Sequence, residues 1–341
     1  MTVNDPLDRD PVIRASRRAV TQQLRDSTSL LEEVLGGLAV PPVAGSGRQR
    51  LLEWCNDLPA RTDAEARYRD AAATILIQGT ENVAHLLMST GDHARSLETT
   101  LLDGRAPRAS VITLVRGCLE AALQVCFLMD SNVPPPATML RAYAFQLASA
   151  EGNETIAASF ASALRSTERL EQTREAVDGI HQWLDDAGFE RKADSRNPRR
   201  TTNVGYGGKR VSLEFDVTAA TNRYMPHAEY LYGVLSGAAH SRGWFISSIY
   251  DSRDTSEVTP LPELIQAAAL SSLTIADPII KTLGEHFGFP IETRLKATHA
   301  RRHMLVRISR AQRGDLVVDY RAFHDPKQVQ PHIAAGLQRP N

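Results

Sequence analysis

A stripe of polar residues crosses one of the most apolar segments of this chain. Residues 110–130 are apolar on nearly every side, which is typical of a central helix in a bundle. At helical spacing along one side lie Thr113, Arg116, Glu120 and Gln124. An arginine and a glutamate are tolerated inside a bundle only when they are paired and hydrogen-bonded. We therefore expect Arg116 and Glu120 to form a buried pair.

Two further segments repeat this pattern. With the stripe of residues 113–124 counted as the first, the second consists of Thr74, Gln78, Glu81 and His85, and the third of Tyr232, Ser236 and His240. Gly233 and Gly237 adjoin the third stripe and let a neighbouring backbone approach closely. His240 ends its apolar segment, with Arg242 two residues later. We expect the three stripes to face one another, so that His240 meets the Arg116–Glu120 pair.

Arginine, carboxylate and imidazole in a shielded cluster can shift one another's pKa values and carry out acid–base chemistry. In that interpretation His240 is a general acid or base, Arg116 stabilises a developing negative charge, and Glu120 completes the catalytic set. Substrate would contact Glu81, His85, Tyr232, Ser236 and Arg242. The alternative is structural, because buried polar networks also fix the register of packed helices without any chemistry.

The elements that must position these residues are predicted to be helices. Apolar periodicity and capping signals place them at Asp63 to Thr90, Asp92 to Asp103, Ser110 to Asp130, Ala137 to Glu151, Glu154 to Leu164, Thr167 to Ala187, Val217 to His240, Pro262 to Gly288 and Glu292 to Ala311. A strand pattern near residues 211–215, after the turn signal Gly205-Tyr206-Gly207-Gly208, predicts a small hairpin. The fold class is therefore all-α, a multi-helix bundle with a small β-hairpin-like basic insert.

Composition divides the chain into three parts. Residues 1–47 are expected to be a flexible or helical segment that ends in a Pro- and Gly-rich linker. Residues 48–312 form the helical bundle, with the insert at 189–216, and residues 313–341 form a C-terminal tail. The N-terminus lacks a signal-peptide pattern, the apolar runs read as too short to cross a membrane, and the three cysteines show no Cys-x-x-Cys spacing. We expect a cytoplasmic protein.

Positive charge is concentrated in two segments, although the net charge of the chain is −1. Residues 190–210 carry seven basic and two acidic side chains, and residues 291–313 carry seven basic and one acidic. Clustered arginines and lysines can contact phosphates, so RNA or single-stranded DNA is the expected partner. The candidate contacts are Arg199, Arg200, Lys209, Arg210, Arg301, Arg302 and Arg307. The alternative is a solvated surface without a partner.

The motifs around the first and third stripes resemble those of bacterial all-helical families without an established activity. Leu-Val-Arg-Gly-Cys-Leu-Glu, with Arg116 and Glu120 four residues apart, resembles their Arg-x-x-x-Glu helix, and Leu-Ser-Gly-Ala-Ala-His-Ser resembles a second helix ending Ser-x-x-x-His. The segment with His93 and Arg95 also fits. Such families are similar to HEPN-type bundles, many of which are metal-independent ribonucleases or toxins. Their arginine–histidine spacing recurs here as Arg294 with His299 and Arg174 with His181.

Three functions follow as expectations. The resemblance implies a HEPN-like protein that acts on nucleic acid, as a metal-independent ribonuclease of a toxin or defence system. The alternative is a small-molecule enzyme or receptor that uses the polar stripes as a pocket between helices. A non-catalytic regulatory protein is the third. Glu81 with His85 has metal-ligand spacing, but the chain lacks a Glu-x-x-His pair, so no metal or cofactor is expected. A homodimer is the assembly that we consider for this chain.

Overall fold

The computed structural model describes residues 11–38, 40–102, 108–164, 167–226, 228–239 and 262–313. Within these ranges the chain forms ten helices and one three-stranded sheet. In order they are α1 (Pro11–Leu38), α2 (Gly47–Asn56), α3 (Asp63–Leu102), α4 (Arg108–Leu128), α5 (Pro135–Leu164), α6 (Glu168–Asp186), β1 (Glu190–Ala193), β2 (Thr201–Tyr206), β3 (Lys209–Ser212), α7 (Val217–Tyr224), α8 (Glu229–Ala239), α9 (Pro262–Phe287) and α10 (Glu292–Arg313). The predicted helical bundle with a small β insert is confirmed.

Helix α4 is the central helix that its composition predicts. It packs against α3, α8 and α9, and Val115, Leu119 and Leu123 are fully buried. Its window Ser110–Leu128 has the length and mean hydropathy, 1.7, of a membrane-spanning helix, contrary to the expectation that every apolar run is too short. Of that window 61% is buried inside the bundle, so packing against the neighbouring helices accounts for its apolar composition.

Among the described residues, buried side chains form two hydrophobic cores. The principal core lies among α1, α3, α4 and α9, with members such as Val34, Leu97, Leu119 and Leu283. The second core lies among α3, α5, α6 and the sheet, with members such as Ile75, Tyr143, Leu147, Leu184 and Val204. Helix α3 is long enough to contribute its first half to the second core and its remainder to the principal core.

Helix α1 belongs to the principal core. Residues 11–38 were assigned by the sequence to a flexible or helical segment before the bundle, but Ile13, Ala19 and Val34 are fully or almost fully buried. The Arg17 side chain donates a buried hydrogen bond to the Leu101 carbonyl of α3. The linker then leads into α2, whose first turn is capped by the Ser46 hydroxyl, which accepts from the Gln49 N–H at 3.1 Å.

Three predicted helix boundaries differ from the structure. Helices α3 and α5 are continuous where the sequence predicted breaks near Gly91 and Gly152. A glycine costs a helix only about 1 kcal/mol, and packing of the flanking turns outweighs that cost. Conversely, the helix predicted from Val217 to His240 divides into α7 and α8 around Pro226, because a proline disfavours helical conformation in the residue before it.

The insert is a three-stranded antiparallel sheet in the order β1-β2-β3, one strand more than the predicted hairpin. Strands β2 and β3 are joined at Gly207 and Gly208, whose φ angles of 57° and 80° suit a tight two-residue turn. The sheet packs on α5. Val204 of β2 lies in the second core, so the insert is anchored to the bundle.

Candidate functional site

Arg116 and Glu120 form the ion pair that their spacing predicts. The Arg116 Nε lies 2.6 Å from Oε1 of Glu120. The Arg116 side chain is 15% exposed and the Glu120 side chain 35%, so the pair is partly shielded rather than buried as expected. The guanidinium lies 5.7 Å from the centre of the Tyr232 ring on α8, a cation–π distance. The structure therefore brings together one residue of the third stripe and two of the first.

The other residues of the predicted cluster are placed differently. Glu81 and His85 are exposed on α3, and within the described ranges neither forms a hydrogen bond or ion pair with Arg116 or Glu120. Ser236 is half-buried on α8. His240 and Arg242 lie outside the described residues, so a meeting between His240 and Arg116 stays a prediction.

His93 is a neighbour of this stripe that the sequence did not assign to the site. A Cβ atom built on Gly117 would lie 2.6 Å from the His93 Nε2, so the imidazole of α3 occupies the space that the glycine leaves on α4. The sequence feature that could have indicated this contact is Gly117, next to Arg116, because a glycine inside a helix often marks a close approach by another element.

Most of the arginines predicted to contact nucleic acid are engaged by carboxylates. The pairs are Arg199 with Glu154 and Asp178, Arg210 with Glu190, Arg301 with Asp26, and Arg302 with Asp277. The first two arginines belong to the insert on α5, and the last two to α10, which packs on α1 and α9. Arg200, Lys209 and Arg307 are exposed.

The two pairs with HEPN-like spacing also contact acidic residues. Arg294 binds Glu33 of α1 through both terminal nitrogens, and the His299 imidazole lies 3.4 Å from the Asp277 carboxylate. Arg174 binds Glu154 at 3.2 Å. The His181 Nε2 lies 3.4 Å from Glu151, but this buried atom lacks hydrogen-bond geometry toward it. These contacts join neighbouring helices.

A cavity of about 530 Å³ lies between α4, α5, α7 and the end of β3 with the residues that follow it. It is lined by Gln124, Phe127, Arg141, Ala144, Phe145, Ala148, Ser149, Val211, Ser212, Leu213, Glu214, Phe215, Asp216, Ala219, Ala220, Arg223 and Tyr224. We call this space the arginine cavity, after Arg141 and Arg223. Its volume is within the range of small-molecule sites, and its lining combines an apolar majority with a few polar groups, as such sites do.

Both arginines of the cavity are positioned by Asp130. This carboxylate, 5% exposed, accepts from the Arg223 Nε and Nη2 at 3.1 and 2.6 Å and from the Tyr224 hydroxyl at 3.0 Å. Arg141 lies 3.7 Å away. The Asn132 N–H also donates to the carboxylate, at 3.0 Å. One buried anion thus orients groups from α5 and α7 toward the same space.

The protonation states of this cluster follow from its contacts. Burial alone would raise the pKa of Asp130, but the hydrogen bonds from the Asn132 N–H, Arg223 and Tyr224 outweigh burial and lower that pKa. Burial, opposed by Arg141 and reinforced by Asp130, raises the pKa of Tyr224 to about 12. The cluster at neutral pH therefore consists of two guanidinium cations, one carboxylate and one neutral phenol.

Aromatic rings support the Arg141 side chain and form one wall of the cavity. The Arg141 guanidinium lies 4.2 Å from the centre of the Phe127 ring and donates to the Phe127 carbonyl at 2.8 Å. Phe215 meets Phe127 edge to face, with ring centres 5.4 Å apart. Arg141 is 13% exposed, and stacking on a ring holds its planar group in one orientation.

Sequence reasoning missed this site because its residues are far apart in the chain. Asp130 lies just after α4, Arg141 on α5 and Arg223 on α7, and no spacing rule connects them. The sequence feature that could have indicated the site is Asp130 itself, a carboxylate at the end of a largely apolar segment. Gln124 is the one residue of the predicted first stripe that lines the cavity.

Comparison of the chain with protein-family models, curated proteins and solved structures finds no match. Within the described ranges no group of three or more metal-ligating side chains comes together. The geometry of this chain is therefore the basis for inferring its function.

Proposed function

We propose that this protein binds a small molecule in the arginine cavity. The observation that carries the proposal is the convergence of Arg141, Arg223 and Tyr224 on a space of about 530 Å³ with an aromatic wall. Small-molecule sites commonly have this combination of apolar surface and a few convergent polar groups. The polar stripes favoured the same class of function, but the site that we propose lies beside Gln124 rather than around Arg116 and Glu120.

The arginines are suited to binding because their orientation is fixed before a ligand arrives. Asp130 and the Phe127 ring hold the two guanidinium groups in place, so a ligand does not have to order them. A site that is organised in advance binds more tightly for the same contacts, because less side-chain freedom is lost. Catalysis is not part of this proposal.

Filling the cavity tests the proposal. Ala148 lines the cavity from α5, and Ala148→Trp would occupy a large part of it. Ala163→Trp on the same helix is the matched control, because Ala163 is exposed and is not part of the lining. We expect octanoate to raise the melting temperature of the parent protein and of Ala163→Trp but not of Ala148→Trp. Equal shifts in all three proteins would place the binding elsewhere.

Nucleic-acid binding, as the HEPN-like resemblance implies, is our second proposal. Its support is the exposure of Arg200, Lys209 and Arg307. Binding of an RNA oligomer should weaken with salt, with a slope of about −0.7 for each phosphate contact when the logarithm of the binding constant is plotted against that of the salt concentration.

Two double variants test which arginines take part. Arg200→Ala/Lys209→Ala should make this slope less steep, and Arg301→Ala/Arg302→Ala tests whether the paired arginines of α10 also contribute to it. Cleavage that is lost in His240→Gln would support the ribonuclease form, and absence of binding at low salt would exclude both forms.

A further inference from the structure

The arginine cavity has charges of opposite sign at its two ends. Asp216 is the N-cap of α7 and Arg223 lies in the last turn of that helix. Seven residues separate them, so a helical rise of 1.5 Å per residue puts their backbones about 10 Å apart. Glu214 lies beside Asp216 in the lining, and both carboxylates are exposed. The cavity thus has an arginine end and a carboxylate end.

At the arginine end the protein's own contacts leave donors for a ligand. Asp130 neutralises one of the two arginines, so Arg141, Arg223 and Asp130 together carry a net charge of +1. The hydrogen bonds of Arg141 within the described ranges run from Nη1, to the Phe127 carbonyl and, at 3.4 Å, to the Tyr224 hydroxyl. Its Nε and Nη2 remain for an anion, and a guanidinium binds a planar carboxylate through two such nitrogens.

At the carboxylate end, acceptors remain for a cation. One Asp216 oxygen accepts from the Ala219 N–H at 2.9 Å, which caps α7 and leaves the second oxygen. Within the described ranges the Glu214 carboxylate forms no hydrogen bond or ion pair. The remaining lining is largely apolar, with Phe127, Phe215 and Ala220 among its members.

From this arrangement we infer that the ligand is an elongated zwitterion. Its carboxylate binds Arg141 and Arg223, its ammonium group binds Glu214 and Asp216, and its apolar body lies on the aromatic wall. A simple anion would leave its apolar end beside two carboxylates, and a simple cation would leave the Arg141 donors unpaired. This inference rests on the proposed function, because it assigns a ligand class to the same cavity.

Calorimetric titration with matched eight-carbon probes tests the ligand class. The probes are 8-aminooctanoate, octanoate, octylamine and neutral octanol, whose chains are alike except at their ends. Because exposed ion pairs contribute up to about 1 kcal/mol, we expect 8-aminooctanoate to bind about three- to fivefold more tightly than octanoate, and more tightly still than octylamine. The shorter 5-aminopentanoate cannot span both ends and should show no advantage over pentanoate.

Two variants separate the ends of the cavity. In Glu214→Gln/Asp216→Asn the preference for 8-aminooctanoate over octanoate should disappear while octanoate still binds, and asparagine preserves the cap of α7. Arg141→Met should weaken both carboxylate probes but not octanol. If octanol and octanoate bind while 8-aminooctanoate shows no advantage, the ligand class is wrong and the proposed function stands. If none of the probes binds, both the ligand class and the proposed function are wrong.

Discussion

At the scale of single residues, Asp130 connects more of the molecule than any stripe predicted from the sequence. It lies two residues after the end of α4, and its carboxylate contacts Arg141 of α5 and both Arg223 and Tyr224 of α7. A buried carboxylate without these donors would carry the full cost of leaving water. Its partners therefore stabilise the folded state as well as shaping the cavity.

Asp130→Asn should destabilise the protein by about 2–4 kcal/mol, since it replaces several charge-assisted hydrogen bonds with weaker neutral ones. The free energy of unfolding in urea measures the loss. Asp185→Asn is the matched control, because Asp185 also binds an arginine, Arg191, but is 46% exposed. An exposed pair contributes about 1 kcal/mol or less. Equal losses in the two variants would contradict the role assigned to Asp130.

The stability difference between the parent protein and Asp130→Asn should also depend on pH. The pKa of Asp130 is lowered below 3.8 in the folded state, so its contribution is complete at neutral pH and declines as the pH falls below that value. His286 is a separate acid-sensitive group, because burial lowers its pKa to about 4. Its contribution is lost as pH falls from about 6.5 toward 4 in both proteins. The difference between them therefore isolates Asp130.

Glu120→Gln should have a small effect, by the same reasoning. The Glu120 side chain is 35% exposed and Arg116 retains contact with water and with Tyr232. We expect the free energy of unfolding to fall by about 1 kcal/mol or less, as for other partly exposed pairs on one helix. A loss of several kcal/mol in urea unfolding would show that the pair is buried after all.

At the scale of elements, the corner between α9 and α10 depends on two glycines. Gly288 ends α9 with a φ of 80°, a conformation that glycine adopts without strain. Gly284, one turn earlier, faces the loop: a Cβ atom there would lie 1.9 Å from the Ile291 side chain and 3.3 Å from the Phe289 carbonyl. The chain can fold back closely on α9 because position 284 has no side chain.

Gly284→Ala should destabilise the protein by about 1–3 kcal/mol, since the added methyl group displaces Ile291 and the loop. Gly179→Ala on α6 is the opposite case. A Cβ at Gly179 meets no atom within 4 Å, so the higher helix propensity of alanine should raise stability by about 0.5–1 kcal/mol. In thermal unfolding, Gly284→Ala should lower the melting temperature and Gly179→Ala should raise it. A higher melting temperature for Gly284→Ala would contradict the close packing described for the corner.

The elements could be predicted from the sequence to different degrees. Apolar periodicity correctly identified α6, α9 and α10, and apolar composition on nearly every side correctly identified α4 as the central helix. The periodicity failed at Gly91 and Gly152, where local propensity is overridden by packing along α3 and α5. Arg116 and Glu120 were correctly paired because they are four residues apart on one helix. The Asp130 cluster could not be predicted, because its members meet only after α4, α5 and α7 have packed.

At the scale of the whole molecule, α3 connects the two hydrophobic cores. Ala71 and Ile75 lie in the second core, and Val83 and Leu97 lie in the principal core, all on one uninterrupted helix. If α3 unfolds in one core, residues of the same helix that pack in the other core also lose their contacts. We therefore expect the described bundle to unfold as one cooperative unit.

The three cysteines can report whether the cores unfold together. Cys55 lies in the second core, and Cys118 and Cys126 lie in the principal core. Burial raises the pKa of Cys118 and of Cys126 to about 12, so neither thiol should react in the native state. In pulsed alkylation across a urea series, read by mass spectrometry, Cys55 and Cys126 should become reactive at the same midpoint. An earlier midpoint for Cys55 would show that the second core opens independently.

The walls of the arginine cavity differ in how well they tolerate amino-acid substitutions. Phe127 and Arg141 come from helices whose other faces fill the cores, so substitutions near them disturb packing. Residues 213–216 connect β3 to α7, and connecting segments of this kind tolerate substitution and insertion with little loss of stability. Random variation at the exposed Glu214 should therefore alter which ligands are accepted while the bundle stays folded. Divergence of ligand preference, by natural or laboratory selection, is then expected to begin in this segment.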